Sequence, residues 1–136
     1  MRTPLLLSAL LVLPLAGCDS SDPVSAKPCS LNVSAAAAST AVVYTYTVST
    51  SGTATVSKIS YRSAAPVAGN TGLTEVSAGI ALPWTAQVTL SSGTAPLLSV
   101  TGTATKGTVS ARAEGRATGS TTVTVNASDT CSQNAG

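Results

Sequence analysis

The feature that most constrains this chain is a period-two alternation of apolar residues with hydroxyl-bearing ones, repeated along much of its length. Between residues 40 and 50, Val42, Tyr44, Tyr46 and Val48 take one set of alternate positions, and Val43, Thr45 and Thr47 the other. Trp84, Ala86, Val88 and Leu90 alternate in the same way with Thr85, Gln87, Thr89 and Ser91. Successive strand side chains point to opposite faces, so each stretch reads as a half-buried β-strand. The four alanines at 35–38 do not read as helix, because β-branched residues follow and no helical period develops.

Further strands are expected around Leu31 and Val33 and over 53–62, 73–82, 97–105, 108–114 and 120–128. In these, Leu98 and Val100, then Val109, Ala111 and Ala113, then Val123, Val125 and Ala127 point inward, with Arg112 and Glu114 a solvated pair. Ser51-Gly52, Ser92-Gly93, Lys106-Gly107 and residues 115–119 carry turn chemistry, Lys106-Gly107 as a two-residue hairpin turn. The longest loop signal is 63–72, with Pro66, Gly69, Asn70 and Gly72. Val56 is out of phase with Ile59 and Tyr61, which a β-bulge near Ser57 and Lys58 would correct. Stretch 73–82 breaks at Gly79 and reads as an edge or partly irregular strand, and Pro83, which cannot donate to a ladder, opens the next one.

About seven antiparallel strands separated by glycine-rich turns predict an all-β fold, an immunoglobulin-like β-sandwich, with a small closed barrel as the alternative. Charged residues make up only 9% of the chain, aromatic residues 3%, and phenylalanine is absent. The core is therefore expected to be aliphatic and thin. Trp84, the single tryptophan, is expected to fill it, with a carbohydrate-stacking platform as the competing use. A disordered chain would combine high net charge with little apolar content. Here the net charge is +2 and 43% of residues are hydrophobic.

The N-terminus says where such a domain would live. Arg2, the apolar segment 5–15 and the small residues Ala16 and Gly17 have the arrangement of an export signal. The uncharged run covers only residues 4–17, short of the roughly 18 needed to cross a bilayer, and Pro14 interrupts it. Leu15, Ala16, Gly17 and Cys18 resemble the bacterial lipobox. On that resemblance Cys18 carries a diacylglycerol thioether and becomes the first residue after cleavage. The implied organisation is a signal peptide over 1–17, a lipidated N-terminus and polar tether over 18–28, and the β-sandwich over 29–136. Two or three acyl chains give a lasting anchor, so the expected place is the cell envelope, held to the membrane on its extracytoplasmic side. Asp19 resembles an inner-membrane retention signal.

Cys29 and Cys131 remain. In an exported chain such a pair reads as one disulfide. Closing a loop of about 100 residues stabilises by up to about 4.7 kcal/mol in chain-entropy terms. A metal site is the competing reading, but two cysteines without any histidine cannot supply the usual four zinc ligands.

Several segments together resemble a known family. They are Val43-Tyr44-Thr45-Tyr46-Thr47-Val48, Ile59-Ser60-Tyr61, Leu82-Pro83-Trp84-Thr85-Ala86-Gln87-Val88, Val109-Ser110-Ala111-Arg112-Ala113 and Thr122-Val123-Thr124-Val125-Asn126. In this order they are similar to the mycobacterial membrane protein small family, MmpS, over about residues 40–127, most specifically at Leu82-Pro83-Trp84. The resemblance implies a small extracytoplasmic β-sandwich on a single membrane anchor, assisting a large lipid-exporting transporter. This chain departs from the family in having a lipobox-like motif where the family has a transmembrane helix.

Catalysis is not expected. There is no histidine to serve as acid or base, Asp19 and Asp22 belong to the tether, and only Glu75, Glu114 and Asp129 remain as acids. No cofactor and no metal are implied. The six cations after the leader, Lys27, Lys58, Arg62, Lys106, Arg112 and Arg116, are scattered, which gives no footprint for nucleic acid. The reading is a membrane-anchored, non-catalytic binding or transport-accessory module. An envelope protein, a transporter or an envelope lipid would be received at a sheet edge or at loop 63–72. The alternative is a structural envelope or surface protein with no specific ligand.

Overall fold

The computed structural model describes residues 25–134; the expected signal segment, Cys18 and the tether up to residue 24 lie outside the described residues. The described chain is all-β, with no helix. Its strands are β1 (Lys27–Ser34), β2 (Val42–Arg62), β3 (Leu73–Val76), β4 (Trp84–Leu90), β5 (Leu97–Ala117) and β6 (Val123–Gln133). All six belong to one antiparallel sheet curled on itself.

The long strands β2 and β5 form its spine, paired from Val42 opposite Ala117 to Tyr61 opposite Leu98. Each contributes to both layers. The first half of β2 takes β4 on its outer edge and the second half takes β3. The first half of β5 takes β1 and the second half β6. One layer is therefore β4-β2-β5-β6, the other β3-β2-β5-β1, and the chain turns between them in the middle of the spine. Thr40 to Thr50 and its return were expected as separate strands, as were the two halves of β5. They are instead continuous, and neither Ser51-Gly52 nor Lys106-Gly107 is a turn.

The physical reason lies in what those glycines face. Gly52 stands directly opposite Gly107 across the β2–β5 pair. A Cβ at Gly52 would lie 2.1 Å from the Lys106 carbonyl oxygen, and one at Gly107 would lie 2.0 Å from that of Ser51. Only a glycine pair lets the two backbones pass this close while the sheet bends. Bulges flank the crossing. Ser57 is the extra residue of β2 between Val56 and Lys58, as its phase slip predicts, and Thr105 is the extra residue of β5 between Ala104 and Lys106. Bulges add bend and twist to a strand, so one on each member of the pair makes the corner.

Inside the fold, one face of each strand is buried as the alternation predicts. Val42, Tyr44, Tyr46 and Val48 of β2 meet Leu31 and Val33 of β1, Leu98, Val100, Val109, Ala111 and Ala113 of β5, and Ile59 in a single cluster. Gly115 lies opposite Tyr44, where a Cβ would come within 2.7 Å of the tyrosine ring, so the missing side chain makes room for that ring.

Other boundaries shift. Lys27 and Pro28, expected in the tether, begin β1, and Cys131, expected just past the last strand, lies within β6. The strand expected over 73–82 keeps only four residues. Beyond them the backbone bends at Gly79, whose φ is +63°.

Cys29 and Cys131 are joined, with Cα atoms 5.7 Å apart. Cys29 pairs with Gly102 and Cys131 with Val109, on either side of the β5 corner. The bond thus ties the outer strands of the two layers across the bend. Two polar links run along the same seam: the Asn32 N–H donates to Asp129 Oδ2 at 3.0 Å, and Lys27 Nζ donates to the Ser132 carbonyl at 3.3 Å.

Two stability measurements check this account. Gly107→Ala is expected to cost about 2–3 kcal/mol in urea unfolding, as overpacking against backbone does. Lys106→Ala, at an exposed neighbour, should stay within about 0.5 kcal/mol. Replacing Cys29 and Cys131 together by serine is expected to cost about 2–5 kcal/mol.

Candidate functional site

The seam opposite the disulfide is built differently. β3 and β4 both pair with β2 but not with each other, and the connection through residues 77–83 links them. Half-buried apolar side chains gather on this open side: Tyr61 of β2, Val76 of β3, Ile80 and Leu82 of the connection, Trp84 and Val88 of β4. Trp84 opens β4, the outermost strand of its layer, and has no further strand beside it. Trp84 accordingly sits at the rim, packed at a tilt on Tyr61 with ring centroids 5.2 Å apart, and does not fill the centre.

The centre is held by tyrosines. Tyr61 leans on Tyr46 with centroids 5.7 Å apart, and Tyr46 stacks on Tyr44 at 6.3 Å. The chain's three tyrosines and its one tryptophan thus form a continuous row from the buried core to the open side. Tyr44 and Tyr46 are fully buried, and neither hydroxyl has a hydrogen-bond partner among the described residues. Burial pushes both upward: Tyr44 rises from its ordinary value, and Tyr46 goes up to about 12. Desolvation dominates at Tyr46. The Leu97 backbone tempers the rise without reaching full hydrogen-bonding geometry, the charges of Tyr44 and Tyr61 add to it, and the charge of Arg62 opposes it.

Loop 63–72 is ordered by its own backbone. Ser63 and Ala64 N–H both donate to the Gly72 carbonyl, and Val67 and Asn70 exchange two hydrogen bonds of 2.9 Å around a tight reversal. Arg62 donates through Nη1 to the Thr71 carbonyl, while its buried Nε has no partner. Val67, 66% exposed at the tip, and Leu73, at the start of β3, are the large apolar residues the described fold leaves most open.

The acids do not converge. Glu75 pairs with Lys58 at 2.6 Å in solvent and the partly covered Glu114 with the more open Arg112 at 2.9 Å, while Asp129 serves the β1–β6 seam. Exposed pairs of this kind contribute about 0–1 kcal/mol each. Among the described residues no three His, Cys, Asp or Glu side chains come together as metal ligands. What the arrangement offers chemically is contact surface: an aromatic and aliphatic rim, and a rigid apolar loop tip.

No protein family, curated protein or solved structure matches this chain. The site therefore rests on its own geometry. The tyrosine row was not foreseen as a unit. The alternation puts Tyr44 and Tyr46 on the core face, but their contact with Tyr61 and Trp84 depends on the corner that brings the second half of β2 over the first.

Because the Tyr46 hydroxyl is buried without a partner, Tyr46→Phe is expected to leave stability within about 1 kcal/mol of the original or to raise it. Tyr46→Ala should cost about 3–5 kcal/mol. The folded chain keeps the Tyr46 proton where the unfolded chain, with an ordinary value of 10.0, has lost it. Stability should therefore fall as pH rises from about 10 through about 12. Phenolate absorbance should show a late step near pH 12 that Tyr46→Phe removes.

Proposed function

We propose that this chain is a lipid-anchored protein of the cell envelope whose β-domain binds a partner, in a transport-accessory role, and carries out no bond chemistry. The observation that carries the reading is the Cys29–Cys131 cross-link between the first strand and the last. Disulfides of this structural kind persist outside the reducing cytoplasm. That is the side on which a lipidated Cys18 would hold the domain.

The architecture fits a tethered module. β1 begins at Lys27, opposite Ala104 at the corner, and β6 ends at Gln133, opposite Gly107 at the same corner. Residues 19–26 would span at most about 30 Å, which keeps the domain near the lipid surface. Loop 63–72, with Val67 and Leu73, follows the far end of β2 and so lies at the opposite pole. That loop and the open side beside Trp84 supply the apolar surface for an envelope partner. The likeness of Leu82-Pro83-Trp84 and its neighbouring strands to the MmpS pattern supports the accessory role.

Membrane fractionation with a fatty-acid label tests the anchor. The wild-type chain should incorporate label and sediment with membranes, and Cys18→Ser should lose the label and the membrane association together. Recovery of the wild-type product free in the medium, with an unmodified Cys18 thiol at its front, would overturn the reading.

A further inference from the structure

An exposed strand edge offers a row of unpaired backbone donors and acceptors, and natural proteins normally blunt it with charge, proline, a bulge, shortness or cover. Among the described residues most edges of this sheet are blunted. β3 has four residues and carries Glu75, paired with Lys58. β1 opens with Lys27-Pro28, and it and β6 shield each other across the disulfide seam. The uncovered corner of β2 carries Gly52, the Ser57 bulge and Lys58. β4 has none of these devices. Its seven residues, Trp84-Thr85-Ala86-Gln87-Val88-Thr89-Leu90, are uncharged and pair with β2 in unbroken register. Among the described residues no loop backbone hydrogen-bonds to them. Thr85, Gln87 and Thr89 are exposed, and the inward-pointing Trp84, Ala86 and Val88 are only half-buried.

The residue order of β4 says what fits that edge. About Gln87 the strand is nearly its own mirror: threonine two places to either side, small or branched aliphatic one place away, and a large apolar residue at each end. An antiparallel copy centred there sets Thr85 against Thr89, Gln87 against Gln87 and Ala86 against Val88. Trp84 then comes opposite Leu90, which its own copy already buries, and the half-buried Ala86 and Val88 gain each other as neighbours. No like charges meet, since the charges on this layer's outer face, Arg112, Glu114 and Arg116, belong to β5, with β2 between them and the edge.

We propose that β4 pairs antiparallel with β4 of a second copy of this chain, about a two-fold axis at Gln87, joining the two β4-β2-β5-β6 layers into one continuous sheet. The pairing is isologous, so it closes at two copies and does not propagate. It also suits two tethered copies. β4 is about 23 Å long, and with tethers reaching about 30 Å both copies can rest on one lipid surface with their strands lying along it. The dimer does not depend on the anchor.

Cysteine cross-linking of the full chain in intact cells tests both the occupant and the register. Directly opposed residues have Cβ atoms about 4.5–5.5 Å apart, close enough for a disulfide, whereas an offset of four residues is about 13 Å. Gln87→Cys should cross-link to itself. Differently tagged Thr85→Cys and Thr89→Cys copies should cross-link to each other when co-expressed, at least tenfold more than either alone. Adding Gln87→Lys to both should abolish that cross-link by setting like charges on the axis, and in detergent should convert the sedimenting dimer to monomer. A Gln87→Cys chain that stays monomeric on oxidation, or that cross-links to a different protein, would overturn the proposal. So would Thr85→Cys cross-linking alone as well as the mixed pair.

Discussion

The length of β2 and β5 is the constraint on which the rest of this fold depends. Each has 21 residues, which fully extended would reach about 70 Å. A domain of about a hundred residues has a radius of gyration near 13 Å. Such strands must bend, and they must bend together or lose their pairing. The Gly52–Gly107 crossing and the two bulges let them do so while keeping the ladder from Val42 to Tyr61 almost complete. Every other strand takes its layer from which half of the spine it borders.

This explains which parts of the fold were legible in the sequence. The strand faces were: Tyr44, Tyr46, Val109 and Ala113 are buried where the alternation puts them. The corner was not, because a glycine that lets two backbones cross and a glycine that makes a hairpin turn are the same residue. A clue was present in β2, where Ala54 and Val56 keep the even-numbered phase of Val42 to Val48 across Ser51-Gly52. In β5 the inward phase changes from Val100 and Ala104 to Val109 and Ala111 beside Lys106-Gly107. A bulge at Thr105 and a two-residue turn would both produce that change. Only the register with β2 separates them.

The candidate site was legible only in fragments. Trp84 and loop 63–72 stand out by residue type, and both reach the surface. The sequence supports a large ring in the core, and the fold supplies two from the alternating run of β2. Trp84 is kept at the rim by its place at the start of an edge strand, where the sheet stops before it can cover the ring. The tyrosine hydroxyls have a different cost. A phenol buried without a partner forfeits its hydration, yet Tyr44 and Tyr46 are the largest side chains that the described fold buries fully, in a chain without phenylalanine. Ring burial, worth about 1.5–3 kcal/mol for a side chain of phenylalanine size, can outweigh an unmet hydroxyl of about 1–3 kcal/mol only where packing is close. Gly115 provides that closeness at Tyr44.

The two seams of the curled sheet are therefore unequal for a physical reason. On the β1–β6 side, a covalent bond and two polar links hold the layers together where aliphatic packing alone would be thin. With that side stapled, the β3–β4 side does not need to close for the core to stay dry. Tyr44, Tyr46, Val48 and Ile59 are fully buried although β3 and β4 do not pair. Loop 63–72, the aromatic rim and the bare edge of β4 can then remain at the surface without endangering the fold. A fold closed by strand pairing on both sides would have had to spend β4 on its own barrel. Here the disulfide leaves that strand free on one side.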